Sequence, residues 1–194
     1  VSRVGPARLT LMDVASVAGV STGALVQRFG TKRGLLRAFT RWSVAETLRT
    51  MRAAYNAAPD PVEGLVRAMV GSIGPDPEPE EFANHLAFLH LELADPEFRA
   101  ILADYDAAVQ NELATYLAEA VDKGQLAVND VEGLASTLNA LRHGTRVAWA
   151  IARDGSLADA ARHHIETFLA PYRRARSSIR GNTTEEKNVD GAPT

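Results

Sequence analysis

The chain has 194 residues, no cysteine and a formal net charge of −3. That length allows one or two domains with cores of their own, and the missing thiols exclude disulfides and thiolate zinc sites. No apolar run approaches the roughly 20 residues that span a bilayer, and the first ten residues lack the apolar centre of a secretory signal, so a soluble, cytoplasmic protein without membrane contact is expected.

Taken in chain order, the sequence reads as all-α. Apolar residues recur at three and four, alanine and leucine are abundant, and neither strict alternation nor an Asn-Gly turn occurs. The pattern predicts helices at 11–18, 22–29, 32–57, 61–73, 81–93, 97–123, 130–153 and 157–170. Thr10 with Asp13 three residues on, then Ser21 and Thr31, are candidate helix caps. Pro59 and Pro61 close one helix, and the run Gly74–Pro79 makes a stiff loop. Pro96 suits the first position of the next helix, while Gly124 and Gly155 read as helix stops. Three units follow: a DNA-binding domain at 1–45, a helical effector-binding and dimerisation domain at 46–174, and a polar tail at 175–194 that reads as disordered.

Charge and function meet at the front of the chain. Residues 1–50 carry eight Lys/Arg against two acids, and residues 51–174 carry ten against nineteen. A basic end on an acidic body suits a protein that touches a polyanion at one end, although a merely solvated basic face has the same layout. Within that end, residues 10–36 fit a helix-turn-helix. Ala15 is small where two helices would cross, and Gly19 can take the left-handed backbone of the turn. Val14, Ala18, Val20 and Leu25 are candidates for the small shared core. Ser21 would cap the second helix and aim its N-terminus outward, toward a major groove where base edges are distinguishable.

The run from Asp13 to Leu36, with Ala18, Gly19, Val20, Ser21, Phe29, Thr31 and Lys32 in place, closely resembles the signature of the TetR family of bacterial transcriptional regulators. The resemblance implies a recognition helix opening at Ser21, ended by Phe29 and followed by the Thr31–Lys32 start of the next helix. Together with helical geometry it nominates Thr22, Ala24, Gln27 and Arg28 as outward residues, with Gln27 able to pair with adenine and Arg28 with guanine or phosphate. Thr10, Ser21 and Lys32 sit at helix starts, where phosphate is favoured. Two departures stand out. Val26 occupies a place where the family commonly has a phosphate-contacting tyrosine, so that role is not carried over. Few residues precede Gly5, which aligns with the end of the family's first helix, so a truncated N-terminus is expected.

In the body, Leu134, Leu138, Leu141, Thr145 and Ala148 share one helical face, and Ile165 and Phe168 lie on the last helix. The resemblance implies that these two helices pair across a homodimer; packing within one subunit is the alternative. It also implies an effector cavity, for which Phe82, His85, Phe88, Leu89, Tyr105, Tyr116, Arg142, Arg146 and Trp149 are candidates, each also open to an ordinary core or surface role. The histidines are badly spaced for a metal, and no nucleophile elbow, P-loop or dinucleotide fingerprint is present, so neither catalysis nor a cofactor is expected. The resulting expectation is a repressor released from double-stranded operator DNA by a small-molecule effector. The alternatives are a ligand-independent dimeric regulator or activator, and an all-helical binding or enzyme module.

Overall fold

The computed structural model describes residues 4–174 as helices joined by short turns: α1 (Gly5–Arg8), α2 (Leu11–Ala18), α3 (Thr22–Phe29), α4 (Lys32–Asn56), α5 (Pro61–Ile73), α6 (Pro79–Ala94), α7 (Pro96–Asp122), α8 (Val131–Ala152) and α9 (Leu157–Leu169), then a 3₁₀ turn (Ala170–Tyr172). The expected disordered tail lies outside the described residues. Among the described residues, no helix is long and apolar enough to cross a membrane.

Local chemistry sets the boundaries. Thr10, Ser21, Thr31, Asp60, Asp95, Asp130 and Ser156 each cap the helix that follows, accepting a backbone N–H in its first turn. Each such cap is worth about 1 kcal/mol. Proline opens α5, α6 and α7, where its missing N–H costs nothing. α6 starts two residues earlier than the apolar pattern indicated, because Pro79 and two glutamates form a polar first turn. Asp95 ends α6 and caps α7 at once. The stop of α8 falls on Arg153, which takes the left-handed conformation, rather than on Gly155. The Arg153 guanidinium lies over the Trp149 ring at 4.6 Å and donates to the Pro77 carbonyl, which holds that unusual backbone in place.

Two apolar cores result. The larger joins α5, α7, α8 and α9 with the end of α4, and contains Met51, Leu65, Met69, Leu113, Leu117, Leu138, Leu157, Ile165 and Leu169. At Gly64, an added Cβ would lie 2.8 Å from the Tyr55 ring, so glycine there lets α5 close on α4. The smaller core contains Leu9, Leu36, Phe88 and Phe98, with Val4, Val14 and Leu91 packed against it. It sits where the N-terminal helices, α4, α6 and α7 meet.

This arrangement corrects part of the expected dimer seam. Leu134, Leu138 and Ile165 are buried in the protomer's own core. Thr145 is also buried, its hydroxyl 3.0 Å from His164 Nδ1. Leu138→Ala should therefore cost about 2–5 kcal/mol through the cavity it leaves. It should lower the thermal midpoint without changing the oligomeric state seen by light scattering; an altered oligomer with unchanged stability would contradict this placement.

Candidate nucleic-acid interface and effector cavity

The helix-turn-helix is built by local rules. Thr10 and Asp13 form a reciprocal cap on α2: the Asp13 N–H meets Thr10 Oγ1 at 3.1 Å, and the Thr10 N–H meets Asp13 Oδ2 at 2.8 Å. The Thr10 hydroxyl also donates to Asp13 at 2.7 Å, so it is already committed within the cap. This bonding, first from the side chain and then from the backbone of Thr10, holds the Asp13 carboxyl below its ordinary range. Gly19 turns the chain at φ +67°, with its N–H on the Ala15 carbonyl. Ser21 Oγ then receives the Ala24 N–H at 3.1 Å and starts α3.

Ala15 and Leu25 are buried and Val14 is half-buried, but Ala18 and Val20 are exposed and do not join the small core. Ala18 ends α2 beside the turn, and Val20 lies in the turn itself. Thr22, Ala24, Gln27 and Arg28 are all exposed on α3, as is Val26. Arg28 lies over the Phe29 ring at 5.5 Å. Lys32 Nζ donates to the Ala7 carbonyl at 3.1 Å, which leaves two of its three N–H groups for another acceptor.

The basic front end is less free than its composition implies. Arg33 makes two hydrogen bonds to Asp95, at 2.8 and 3.0 Å, and also approaches Glu97 at 3.4 Å. Arg37 pairs with Glu97. Hydrogen bonding to Arg33 pushes the Asp95 carboxyl down to about 2. These pairs clasp the start of α4 to the start of α7. The sequence reading missed them because the partners stand about sixty residues apart.

Behind the clasp lies a cavity of about 210 Å³. Its lining includes His85, Phe88, Leu89, Tyr105, Arg142 and Arg146, as expected, together with Phe39, Thr40, Ser43, Val44 and Thr47 from α4, and Ser72, Glu92, Leu102 and His143. Three expected residues do not line it. Phe82 is buried on α6 with its ring 6.2 Å from His85. Tyr116 stacks on Tyr55 at 3.8 Å within the larger core. Trp149 is buried and donates from Nε1 to the Gly155 carbonyl. Their aromatic surface is taken up by packing inside the body. α4 forms a whole wall, although its Ser and Thr positions resemble a solvated face in sequence.

The polar groups of the cavity are unevenly satisfied. Arg142 is buried and donates to Asn139 Oδ1 at 3.0 and 3.2 Å and to the Tyr105 hydroxyl at 3.3 Å. Its Nη2 is 3.1 Å from His143 Nε2. Arg146 Nε is buried without a hydrogen-bond partner among the described residues. Such a group costs about 1–3 kcal/mol. Burial, then the charge of Arg142, lowers the Arg146 pKa. His85 is crowded by protein yet open to the cavity; crowding first, then the charges of Arg146 and His143, holds it well below the usual imidazole value and neutral at pH 7. Glu92 is buried, with the Thr40 hydroxyl 2.6 Å from Oε1 and 3.2 Å from the Leu36 carbonyl. One hydroxyl proton cannot serve both acceptors, so a protonated Glu92 completes this chain of bonds best. Burial likewise raises the Glu92 pKa, against a smaller opposing effect of Thr40.

Among the described residues no group of three or more His, Asp or Glu could hold a metal. Residues 1–39 match the family described as bacterial regulatory proteins, tetR family, and residues 61–173 match the BetI-type transcriptional repressor C-terminal domain. No curated protein matched the chain. Among solved structures, a TetR-family transcriptional regulator from Rhodococcus sp. shares 27% identity at a TM-score of 0.69, over 89% of this chain and 92% of that one. A transcriptional regulator from Saccharomonospora viridis, solved in complex with choline, aligns at 0.72 with 23% identity over 87% and 88%. The fatty acid degradation regulator FadR from Bacillus halodurans aligns at 0.67 with 19% identity over 92% and 90%.

Because folding raises the Glu92 pKa, its carboxyl favours the native state while protonated, and that contribution is lost as pH rises through the raised value. Glu92→Gln should therefore match the wild type near about pH 4 and be the more stable protein near about pH 8, as read by denaturant melts. Equal stability differences at both pH values would show that the carboxyl is not held neutral by the fold.

Proposed function

As the chain belongs to the TetR family of bacterial regulatory proteins, and so is a DNA-binding transcriptional regulator, we propose that it is a homodimeric repressor released from its operator by a small-molecule effector. The observation that carries this reading is the position of Phe88. It lines the cavity and also belongs to the small core that seats α1, α2 and α4 on the body. A ligand in the cavity therefore touches a residue on which the placement of the DNA-binding unit rests. The repressor description of the family matched by residues 61–173 agrees with this direction of control.

DNA contact is assigned to α3 and to the helix starts on either side of it. Gln27 and Arg28 read bases or phosphate from the exposed face of α3, Thr22 and Ala24 accompany them, and Ser21 and Lys32 meet phosphate with backbone N–H groups and the Lys32 ammonium. Thr10 contributes through the free N–H groups that follow it, because its hydroxyl serves the cap.

The dimer is assigned to the outer faces of α8 and α9. Leu141, Gly144, Ala148, His163, His164, Thr167 and Phe168 line a shallow apolar groove there. Val147 and Ile151 continue the stripe and are 42% and 80% exposed, unusually open for large apolar residues. Two-fold pairing through this face places two recognition helices for two half-sites.

The direct test is an electrophoretic shift with the DNA flanking the protein's own gene. Gln27→Ala should relax base choice at a cost of about 1–3 kcal/mol, whereas Lys32→Ala should weaken binding on every sequence and lower the salt slope by about one unit. No shift on that DNA or on a selected random pool would sink the repressor reading. The groove assignment has its own check. Ala148→Glu with Ile151→Glu changes exposed side chains, so protomer stability should move by less than about 1 kcal/mol. Sedimentation should nevertheless show dissociation to monomers at micromolar concentration, and a persistent dimer would place the interface elsewhere.

A further inference from the structure

We infer that the cavity takes an amphipathic small anion, a carboxylate on an aromatic or short aliphatic body. This rests on the effector reading above and narrows its chemistry.

The charge balance at the cavity is the first argument. Arg142 and Arg146 both line it, and among the described residues neither has a carboxylate within ion-pair distance. The Arg142 guanidinium is met by neutral groups only: an amide oxygen, a phenol and an imidazole. Asp106 reaches it only at one remove, through Asn139 at 2.6 Å and His143 at 3.8 Å. Glu92 is the acid that lines the cavity, and its carboxyl is engaged by the Thr40 hydroxyl. Glu46 borders the adjoining recess, but its oxygens are engaged by Arg49.

The second argument is the orphaned donor. Arg146 Nε is buried and unpartnered, and Arg146 lines both the cavity and the adjoining recess of about 320 Å³. An incoming carboxylate can accept from this guanidinium in a forked geometry and satisfy what the folded chain leaves open. The neighbouring hydroxyls are poor substitutes, because Thr47 and Ser72 already donate to the backbone carbonyls of Ser43 and Met69.

The third is the division of the lining. Phe39, Phe88, Leu89 and Leu102 form its apolar part. Charge alone does not fill such a space, and a bare inorganic anion would leave these side chains against water. The volume is below the roughly 300–1,000 Å³ of drug-sized sites, which points to a small body. A quaternary ammonium such as choline would find aromatic rings here but would face two arginines whose charge no carboxylate of the described residues neutralises.

Calorimetric titration of the full-length protein with benzoate, octanoate, benzamide, choline and inorganic phosphate tests the assignment. Benzoate or octanoate should bind at least about tenfold more tightly than benzamide and phosphate, with no heat from choline; tenfold corresponds to about 1.4 kcal/mol. Arg146→Met keeps an unbranched apolar stem and removes the guanidinium and its charge, so it should abolish that preference while the protein still shifts operator DNA. Benzamide or choline binding as tightly as the carboxylates would overturn the anion assignment and leave the cavity as an effector site. Phosphate binding as tightly would overturn the amphipathic part. An unaltered preference in a folded Arg146→Met protein would overturn the role of Arg146. If no probe binds at millimolar concentration and the substitution changes neither melting nor DNA release by any of them, both this assignment and the effector reading fall.

Discussion

Phe88 carries two packing duties at once, and the connection between the two ends of the molecule depends on it. Its ring lines the cavity and also meets Phe98 edge-on at 6.4 Å, beside Leu9 and Leu36. Phe39 approaches at 6.0 Å from α4. Side chains in such a core interdigitate at nearly crystalline density, so a ring that moves must displace its neighbours rather than slide past them. The neighbours are the residue before the α2 cap and the first buried position of α4. A displacement of Phe88 therefore becomes a displacement of the helix-turn-helix, and the size of the response is bounded by the difference in ligand affinity between the two arrangements.

α4 has to be read as two halves. It spans 25 residues, about 37 Å at 1.5 Å per residue. Its C-terminal half is closed onto the body by Met51 in the larger core, by Tyr55 against Gly64 and by Ala54 against Gly71. Its N-terminal half has a different surround: the small core through Leu36, the Thr40–Glu92 bond, and the clasp from Arg33 and Arg37 to Asp95 and Glu97. Exposed ion pairs of this kind are worth only about 0–1 kcal/mol each. The clasp thus sets the register between α4 and α7 without locking it. What resists movement is the small aromatic core, which has far fewer members than the large one.

The parts legible in the sequence were those governed by local chemistry. Caps at Thr10, Ser21 and Thr31, the turn at Gly19 and the helix start at Pro96 need only a few adjacent residues, and each stands as read. What could not be read was the choice of partner for an apolar face. Leu134, Leu138 and Ile165 lie on stripes that suit either a neighbouring helix or a second protomer, and the protomer's own helices claimed them. The same ambiguity holds for Phe82, Tyr116 and Trp149, whose sequence pattern suits a cavity wall but whose rings are taken up by internal packing. Conversely, Ser43 and Thr47 gave no sign of a cavity wall, because short hydroxyl side chains on a helix look solvated until a partner helix is known. The Arg33 and Arg37 pairs were invisible for a related reason: charge counted along the chain does not register acids brought in by folding.

The cavity itself is where the fold spends stability. A well-packed interior would fill that space and pair its polar groups, yet here an arginine N–H is left unsatisfied and a carboxyl is held against its ionised form. Neither feature helps the empty protein fold. Both become useful if the space is sometimes occupied, since a ligand that satisfies Arg146 gains free energy the empty chain lacks. That gain is available only while the ligand is bound, and it arises in the cavity that Phe39, Thr40 and Phe88 also line. Part of it can be used to shift the small core instead of appearing as affinity. Under the effector reading proposed above, the unsatisfied donor and the aromatic junction belong to one device: the first would supply a binding-dependent free energy, and the second would convert it into a change at the helix-turn-helix.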